Sequence, residues 1–290
     1  MKIGIVGYGT GGQVALDYWK DKGEVTVCDD NNVTVPDEVH TQLGENYLAD
    51  LSRFDLIVRS PQVKPDDLIA AVGRDILGKV TTPTNEFFGV SPSQNIIGIC
   101  GSEGKNITAA LIAKLIQASG KGVYQAVSVD TPALALLKGD IKPEDWVVLE
   151  LTSAQLVDCN HSPHIAICLG VAPRGLDGHS ETDEYFYAKT QLFRHQTQDD
   201  VAIYLSSDEN SKRIAFTGKG WKIPYCDEPG ATIRNGMVHI GNEDICKASE
   251  LGLKGKDIWQ HVCAAVTAVW QISRNKEQIK QVLAEFNPSE

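Results

Sequence analysis

No apolar run in this chain approaches the roughly 20 residues needed to span a bilayer. The N-terminus, Met1-Lys2-Ile3-Gly4-Ile5-Val6-Gly7, goes straight into a strand pattern with none of the features of a signal peptide. Basic charge is also scarce: 27 Lys and Arg stand against 38 Asp and Glu, a net charge of −11. Such a chain is repelled by nucleic acid and by anionic membranes, so neither is an expected partner, and any phosphate site has to be local. Cysteine pairing is missing too. The seven cysteines (Cys28, Cys100, Cys159, Cys168, Cys226, Cys246, Cys263) are odd in number and form no C-x-x-C motif. Cys28, Cys100 and Cys168 sit in apolar runs, where cysteine behaves as a small hydrophobe. Reduced thiols and a cytoplasmic location are the expectation.

What is present is an ordinary globular composition, 42% apolar and 22% charged over 290 residues, long enough for two domains. Strand patterns at 2–7, 24–28 and 55–60 alternate with helical ones, which predicts βαβ units and a parallel sheet. After the polar loop Val90-Ser91-Pro92-Ser93-Gln94 a second such series begins. Its strands are expected at 96–100, about 123–129, 146–151, 164–171 and 200–205, with helices near 105–119 and 181–195. The expected domains are therefore 1–91, Rossmann-like, and 92–290, a P-loop-type α/β domain. Beyond 222, alternation around Asn235-Gly236 signals a hairpin, and two helices, near 257–274 and 276–286, follow.

Two glycine loops suggest phosphate sites. Ile96 to Cys100 runs into Gly101-Ser102-Glu103-Gly104-Lys105-Asn106 and then a helix, the layout in which loop amides, a helix N-terminus and a lysine meet a nucleotide's phosphates. Asn106 departs from it, standing where Mg²⁺-nucleotide loops carry Ser or Thr. Gly7, Gly9 and Gly12 fit G-x-G-x-x-G, with Asp29 closing the following strand. This loop is open to a nicotinamide or flavin cofactor, to another nucleotide, or to a purely structural role as a tight turn. A redox cofactor is disfavoured because nothing nearby resembles a hydride-transfer site. Cys159, His161, His164 and Cys168 have zinc-ligand composition. However, the stretch from His164 to Cys168 reads as a buried strand whose side chains alternate in direction, so no metal is expected there.

Four segments together resemble the Mur ligase family, closest to its D-glutamate-adding member. Gly101 to Thr108 is similar to G-T-N-G-K-S/T-S/T-T, and Val147 to Leu156 to V-L-E-L-S-S-F-Q-L. Asp183-Glu184-Tyr185 through Lys189 and Leu192-Phe193 matches a third segment, and Leu253 to Ala265 resembles L-x-G-x-H-N-x-x-N-x-x-A-A. Ser60-Pro61 and Glu86-Phe87-Phe88 agree as well. The resemblance implies an ATP-dependent carboxylate–amine ligase of peptidoglycan synthesis, which joins D-glutamate to UDP-N-acetylmuramoyl-L-alanine through an acyl phosphate. In that scheme Gly101, Ser102, Gly104, Lys105, Asn106 and Asp257 bind ATP. Lys105 reaches its phosphates, and Glu150 with Lys189 as a carbamate holds Mg²⁺. Gly9, Thr10, Gly11, Asp29 and Ser60 hold the UDP-sugar. Read on their own, Glu150 could instead make a structural ion pair and Lys189 could be a solvated helix lysine.

Several family features differ. In Val171-Ala172-Pro173-Arg174-Gly175-Leu176-Asp177, Gly175 stands at a metal-binding histidine position and Arg174 at an acidic one. Asp257, Ile258 and His261 stand where the family has His, Asn and Asn near the adenine, and Ser128-Val129-Asp130-Thr131 replaces G-N-I-G. The chain stops at Asn287-Pro288-Ser289-Glu290, about where a third ligase domain should begin. Each lost charge-assisted contact costs about 1.5–3 kcal/mol. The expectation is a divergent ligase homologue, inactive as two domains alone or dependent on a separately supplied third domain. The alternatives are a binding protein that keeps a UDP-sugar or partner site without ATP chemistry and, more weakly, a nicotinamide enzyme.

Overall fold

Apolar strand runs alternating with amphipathic helices build two parallel sheets in a computed structural model that describes residues 1–127, 131–172, 182–253 and 255–287. The side chains of Lys256 and Asp257 lie outside the description. Two compact units result. One comprises residues 1–90 together with 131–139, and the other 91–127 with 140–287.

In the first unit, strands β1 (Lys2–Val6), β2 (Glu24–Asp29), β3 (His40–Leu43), β4 (Leu56–Arg59) and β5 (Val80–Thr81) form one parallel sheet in the order β3-β2-β1-β4-β5. The β1 pattern Ile3-Gly4-Ile5-Val6 is buried throughout, as expected for a strand covered on both faces. Helix α1 (Thr10–Trp19) buries Ala15, Leu16 and Trp19, a 3.6-residue stripe. Helix α2 (Pro65–Val72) opens with proline followed by Asp66 and Asp67, which suits a helix N-terminus. Helix α3 (Pro83–Val90) follows β5. The short turn Ala133–Lys138 groups with this unit although it lies 40 residues beyond it in sequence: Ala133 and Leu134 are buried, and the Lys138 ammonium is 2.8 Å from Asp17.

In the second unit, β6 (Ile96–Cys100), β7 (Val123–Ala126), β8 (Trp146–Glu150), β9 (Ile165–Cys168), β10 (Val201–Leu205) and β11 (Trp221–Tyr225) form a parallel sheet ordered β11-β10-β9-β6-β8-β7. Helices α4 (Lys105–Ala118), α5 (Ser153–Leu156), α6 (Thr182–Arg194) and α7 (Glu209–Ala215) lie between strands in sequence. An antiparallel sheet of β12 (Ala231–Arg234), β13 (Met237–Ile240) and β14 (Glu243–Lys247) follows, then α8 (Lys256–Val269) and α9 (Lys276–Glu285). The Asn-Gly hairpin is as read from sequence: Arg234 pairs with Met237, and Asn235 and Gly236 both have positive φ, at 50° and 75°. One core runs through Ile97, Ile112, Val148, Ile167, Ile203 and Val266.

Strands β3, β5, β11 and β14 were not legible in sequence, and α8 ends at Val269, about a turn before the expected 274. From Pro173 on, the segment matched to the family's metal histidine lies outside the described residues, as do Ser128-Val129-Asp130.

Candidate phosphate-binding sites

In the larger unit the strand order reverses at β6, whose neighbours are β8 and β9. The crevice at such a reversal, past the C-terminal strand ends, is where open α/β sheets take ligands. The loop Gly101–Gly104 fills this position. Gly101 has φ of 145°, and a Cβ on it would stand 2.6 Å from the Leu169 Cβ. The loop is also pinned through its backbone: the Ser102 amide donates to the Gly170 carbonyl at 2.9 Å. The Ser102 hydroxyl bonds Ala172 on both its amide and its carbonyl at 2.9 Å, and shares a 2.9 Å contact with the Tyr185 hydroxyl. Gly104, left-handed with φ of 78°, caps α4, whose first turn carries no acidic residue. The helix N-terminus therefore presents its partial positive charge to the loop, whose own Glu103 directly precedes the cap.

Two ammonium groups converge here. Lys105 donates to the carbonyls of Gly101 and Ser102, both at 3.3 Å, and Lys189 donates to the same Gly101 carbonyl at 3.2 Å. Lys189 is fully buried and lies over the Tyr185 ring at 4.1 Å. Its burial follows from periodicity, because Tyr185, Ala188, Lys189 and Leu192 share the inward stripe of α6. That spacing is a signal in the sequence that the reading of Lys189 as a surface residue overlooked. Asn106 is exposed, and its side-chain oxygen accepts from the Ile107 amide at 2.8 Å. Glu150 closes β8, with Ile99 of β6 as its register partner.

Sequence reasoning placed His261 near a base; its contact with the loop itself was not foreseen. A Cβ on Gly104 would fall 1.9 Å from the imidazole, and the ring's Nδ1 lies 3.4 Å from the Thr108 hydroxyl, which itself donates to the Gly104 carbonyl at 2.9 Å. Burial lowers the His261 pKa below its ordinary value, with the Glu103 carboxylate opposing that shift. Nothing local in the sequence signals a contact spanning 153 residues.

The first unit has its own reversal at β1, between β2 and β4. There Gly7, with φ of 88°, packs so that a Cβ would meet the Ser60 Cβ at 2.6 Å, and Gly9 caps α1 with no side-chain cap and no acid in the first turn. A Cβ on Gly9 would stand 3.2 Å from the Gln62 amide oxygen, which accepts from the Ser60 hydroxyl at 2.8 Å. Thr10 is exposed and Gly11 half-exposed. The Asp29 carboxylate accepts from the Tyr8 amide at 2.6 Å and the Asn31 amide at 2.9 Å, which ties it to the glycine loop. Burial raises its pKa, but these hydrogen bonds outweigh that and leave it below the ordinary value.

Groups of both signs meet at the β6 loop: its amides, the α4 N-terminus and the Lys105 and Lys189 ammonium groups, with Glu103 within the loop and Glu150 at the end of the neighbouring β8. Among the described residues no group of three or more His, Cys, Asp and Glu could hold a metal ion. No described helix is long and apolar enough to cross a membrane.

Residues 99–236 match the family model of the Mur ligase middle domain, in line with the resemblance read from sequence. More particularly, the chain is 29% identical over 99% of its length to a UDP-N-acetylmuramoylalanine--D-glutamate ligase of Clostridium kluyveri, and 27% identical over 99% to that of Clostridium tetani. It spans 65% of each of these curated relatives. Among solved structures, the fold matches a UDP-N-acetylmuramate:L-alanyl-gamma-D-glutamyl-meso-diaminopimelate ligase from Neisseria meningitides with a TM-score of 0.65 at 15% identity, covering 99% of this chain and 98% of that one. It also matches MurF of Thermotoga maritima, solved with ADP, with a TM-score of 0.57 at 13% identity over 98% of this chain and 63% of the other.

Proposed function

We propose that the chain is a nucleotide-binding homologue of the D-glutamate-adding Mur ligases. Its 91–290 part would hold ATP phosphates and its 1–90 part the diphosphate of a UDP-N-acetylmuramoyl substrate. The observation that carries this reading is the convergence of Lys105 and Lys189 on one carbonyl of the Gly101–Gly104 loop. Two ammonium groups brought to one glycine loop beside a helix N-terminus favour an anion there.

When bound, ATP supplies the phosphoryl group that activates a carboxylate for attack by an amine. The work of this chain is positioning. Lys105 leaves the Gly101 and Ser102 carbonyls for the phosphates. The amides of the loop and of the first turn of α4 orient them, and the Ser102–Tyr185 and Ser102–Ala172 contacts hold the loop rigid. Lys189 adds a second positive charge from a site closed to water. Glu150, at the end of β8, would be the carboxylate offered to a divalent cation. In the first unit, Gly9, Thr10 and Gly11 at the start of α1 would take the diphosphate and Ser60 would line it, while Asp29 shapes the loop from beneath. Turnover by the full ligase mechanism would draw on a third domain or a partner protein; the chain spans 65% of its curated relatives.

The second reading, a binding protein that kept these loops without ATP chemistry, is favoured by one observation. Asn106 turns its oxygen to the Ile107 amide rather than outward. Calorimetric titration of Mg-ATP, with a UDP-N-acetylmuramoyl ligand in a separate titration, distinguishes the two. Micromolar ATP binding that Lys105→Ala weakens at least tenfold supports the first reading. No heat at millimolar ATP with clear UDP-ligand binding leaves the second.

A further inference from the structure

Of the seven cysteines, Cys226 alone is not buried. It follows β11 directly and is held in the left-handed region, with φ of 61°, which is unusual for a side-chain-bearing residue. A chain of hydrogen bonds ties it to α8. The Cys226 amide donates to the Ala231 carbonyl at 2.8 Å, and the Ala231 amide donates to the Thr267 hydroxyl at 2.8 Å. That hydroxyl donates to the Cys263 carbonyl one helical turn back, at 2.7 Å. The segment is pressed close: a Cβ on Gly230 would meet the Pro224 carbonyl at 1.9 Å and the Thr267 hydroxyl at 3.1 Å. This network brings Cys226 and Cys263 together where the end of β11 packs on α8, one reachable from solvent and the other 1% exposed.

We propose that Cys226 and Cys263 are a reversible dithiol pair, in which Cys226 attacks a low-molecular-weight disulfide and Cys263 resolves the adduct into a Cys226–Cys263 disulfide. The Cys226 thiolate bonds to one sulfur of the small disulfide, whose S–S bond breaks and releases the first small thiolate. Cys263 then loses its proton and attacks the Cys226 sulfur, expelling the second. The two cysteines are oxidised by two electrons, the small disulfide is reduced to two thiols, and the two cysteine protons end on them. The roles follow from the contact. The Cys263 hydrogen bond stabilises the Cys226 thiolate and lowers its pKa, while that same contact, followed by burial, raises the Cys263 pKa. Cys28 and Cys159 are pushed up to about 12 by burial and Cys246 to about 11, which leaves them poor nucleophiles.

The disulfide would bolt the end of β11 to α8, the helix that carries His261 two residues before Cys263. The test exposes the reduced protein to mixtures of oxidised and reduced glutathione, quenches with acid and alkylating reagent, and maps peptides by mass spectrometry. Expected is a cross-linked Cys226–Cys263 peptide pair lighter by two hydrogens, with Cys28 and Cys159 alkylated only after unfolding. Cys263→Ser should stop at a Cys226–glutathione adduct, and Cys226→Ser should give neither product. Both variants are checked for native far-ultraviolet circular dichroism. A wild-type protein that accumulates the Cys226 adduct without the cross-link, or that reacts at neither residue, overturns the pairing. Independently of any variant, oxidised wild type should melt several degrees above the reduced form, and equal melting overturns the bolting of α8.

Discussion

Gly104 combines two reasons to remain glycine. Its φ of 78° is left-handed, and the His261 imidazole occupies the space where a Cβ would go. The conformational part alone costs about 1–2 kcal/mol for an L-residue, and the overlap adds to it. Gly104→Ala should therefore lower the thermal midpoint, and the double variant Gly104→Ala/His261→Ala should recover only the steric share, a coupling that a double-mutant cycle measures. Asp29 makes a prediction of a different kind. Its pKa in the folded chain lies below the ordinary 3.8, so it contributes stability that is complete above that value and disappears as pH falls through the lower folded value. Asp29→Asn should flatten the acid limb of a denaturation-versus-pH curve while lowering stability at neutral pH. An unchanged acid limb would show that the Tyr8 and Asn31 amides do not stabilise the carboxylate.

At the scale of elements, a buried hydroxyl helps tie α8 to the β12 edge. Thr267 accepts from the Ala231 amide and donates to the Cys263 carbonyl, all of it buried. Thr267→Val keeps the shape but leaves a buried N–H without its acceptor, at a cost of about 1–3 kcal/mol. Thr267→Ser should lose less, as read by denaturant unfolding. Which elements could be read from sequence follows a physical rule. Strands β1, β2, β6, β8, β9 and β10 are apolar runs or end in them, and such runs have few alternatives to a covered sheet. The pieces that were missed lack that pattern: three of the four residues in His40-Thr41-Gln42-Leu43 are polar, Val80-Thr81 is only two residues long, Trp221-Lys222-Ile223-Pro224-Tyr225 contains a proline, and Glu243-Asp244-Ile245-Cys246-Lys247 opens with two acids. The candidate site divides the same way. The glycine loops and Lys105 are contiguous in sequence and were legible, whereas His261 on Gly104 and Tyr185 on Ser102 depend on long-range packing that no local pattern encodes.

For the molecule as a whole, sequence order and compact units disagree over 131–139. The turn Ala133–Lys138 belongs with the first unit, its Ala133 and Leu134 buried and its Lys138 paired with Asp17, although the chain by then has already begun the second unit. A fragment spanning 92–290 should therefore carry 131–139 without the partners that bury it. The expected results are rapid proteolytic nicking in that stretch and stronger binding of a hydrophobic dye than in the intact chain. Leu134→Ser should reduce the dye binding in the fragment, and protection of the stretch equal to that in the whole chain would contradict its membership of the first unit. The chain thus moves between the two units three times. In genetic terms, the halves cannot be exchanged by a single crossover: a recombinant that swapped residues 1–90 for those of a distant relative would inherit a mismatched 131–139 patch unless a second, separate stretch of the gene moved with it.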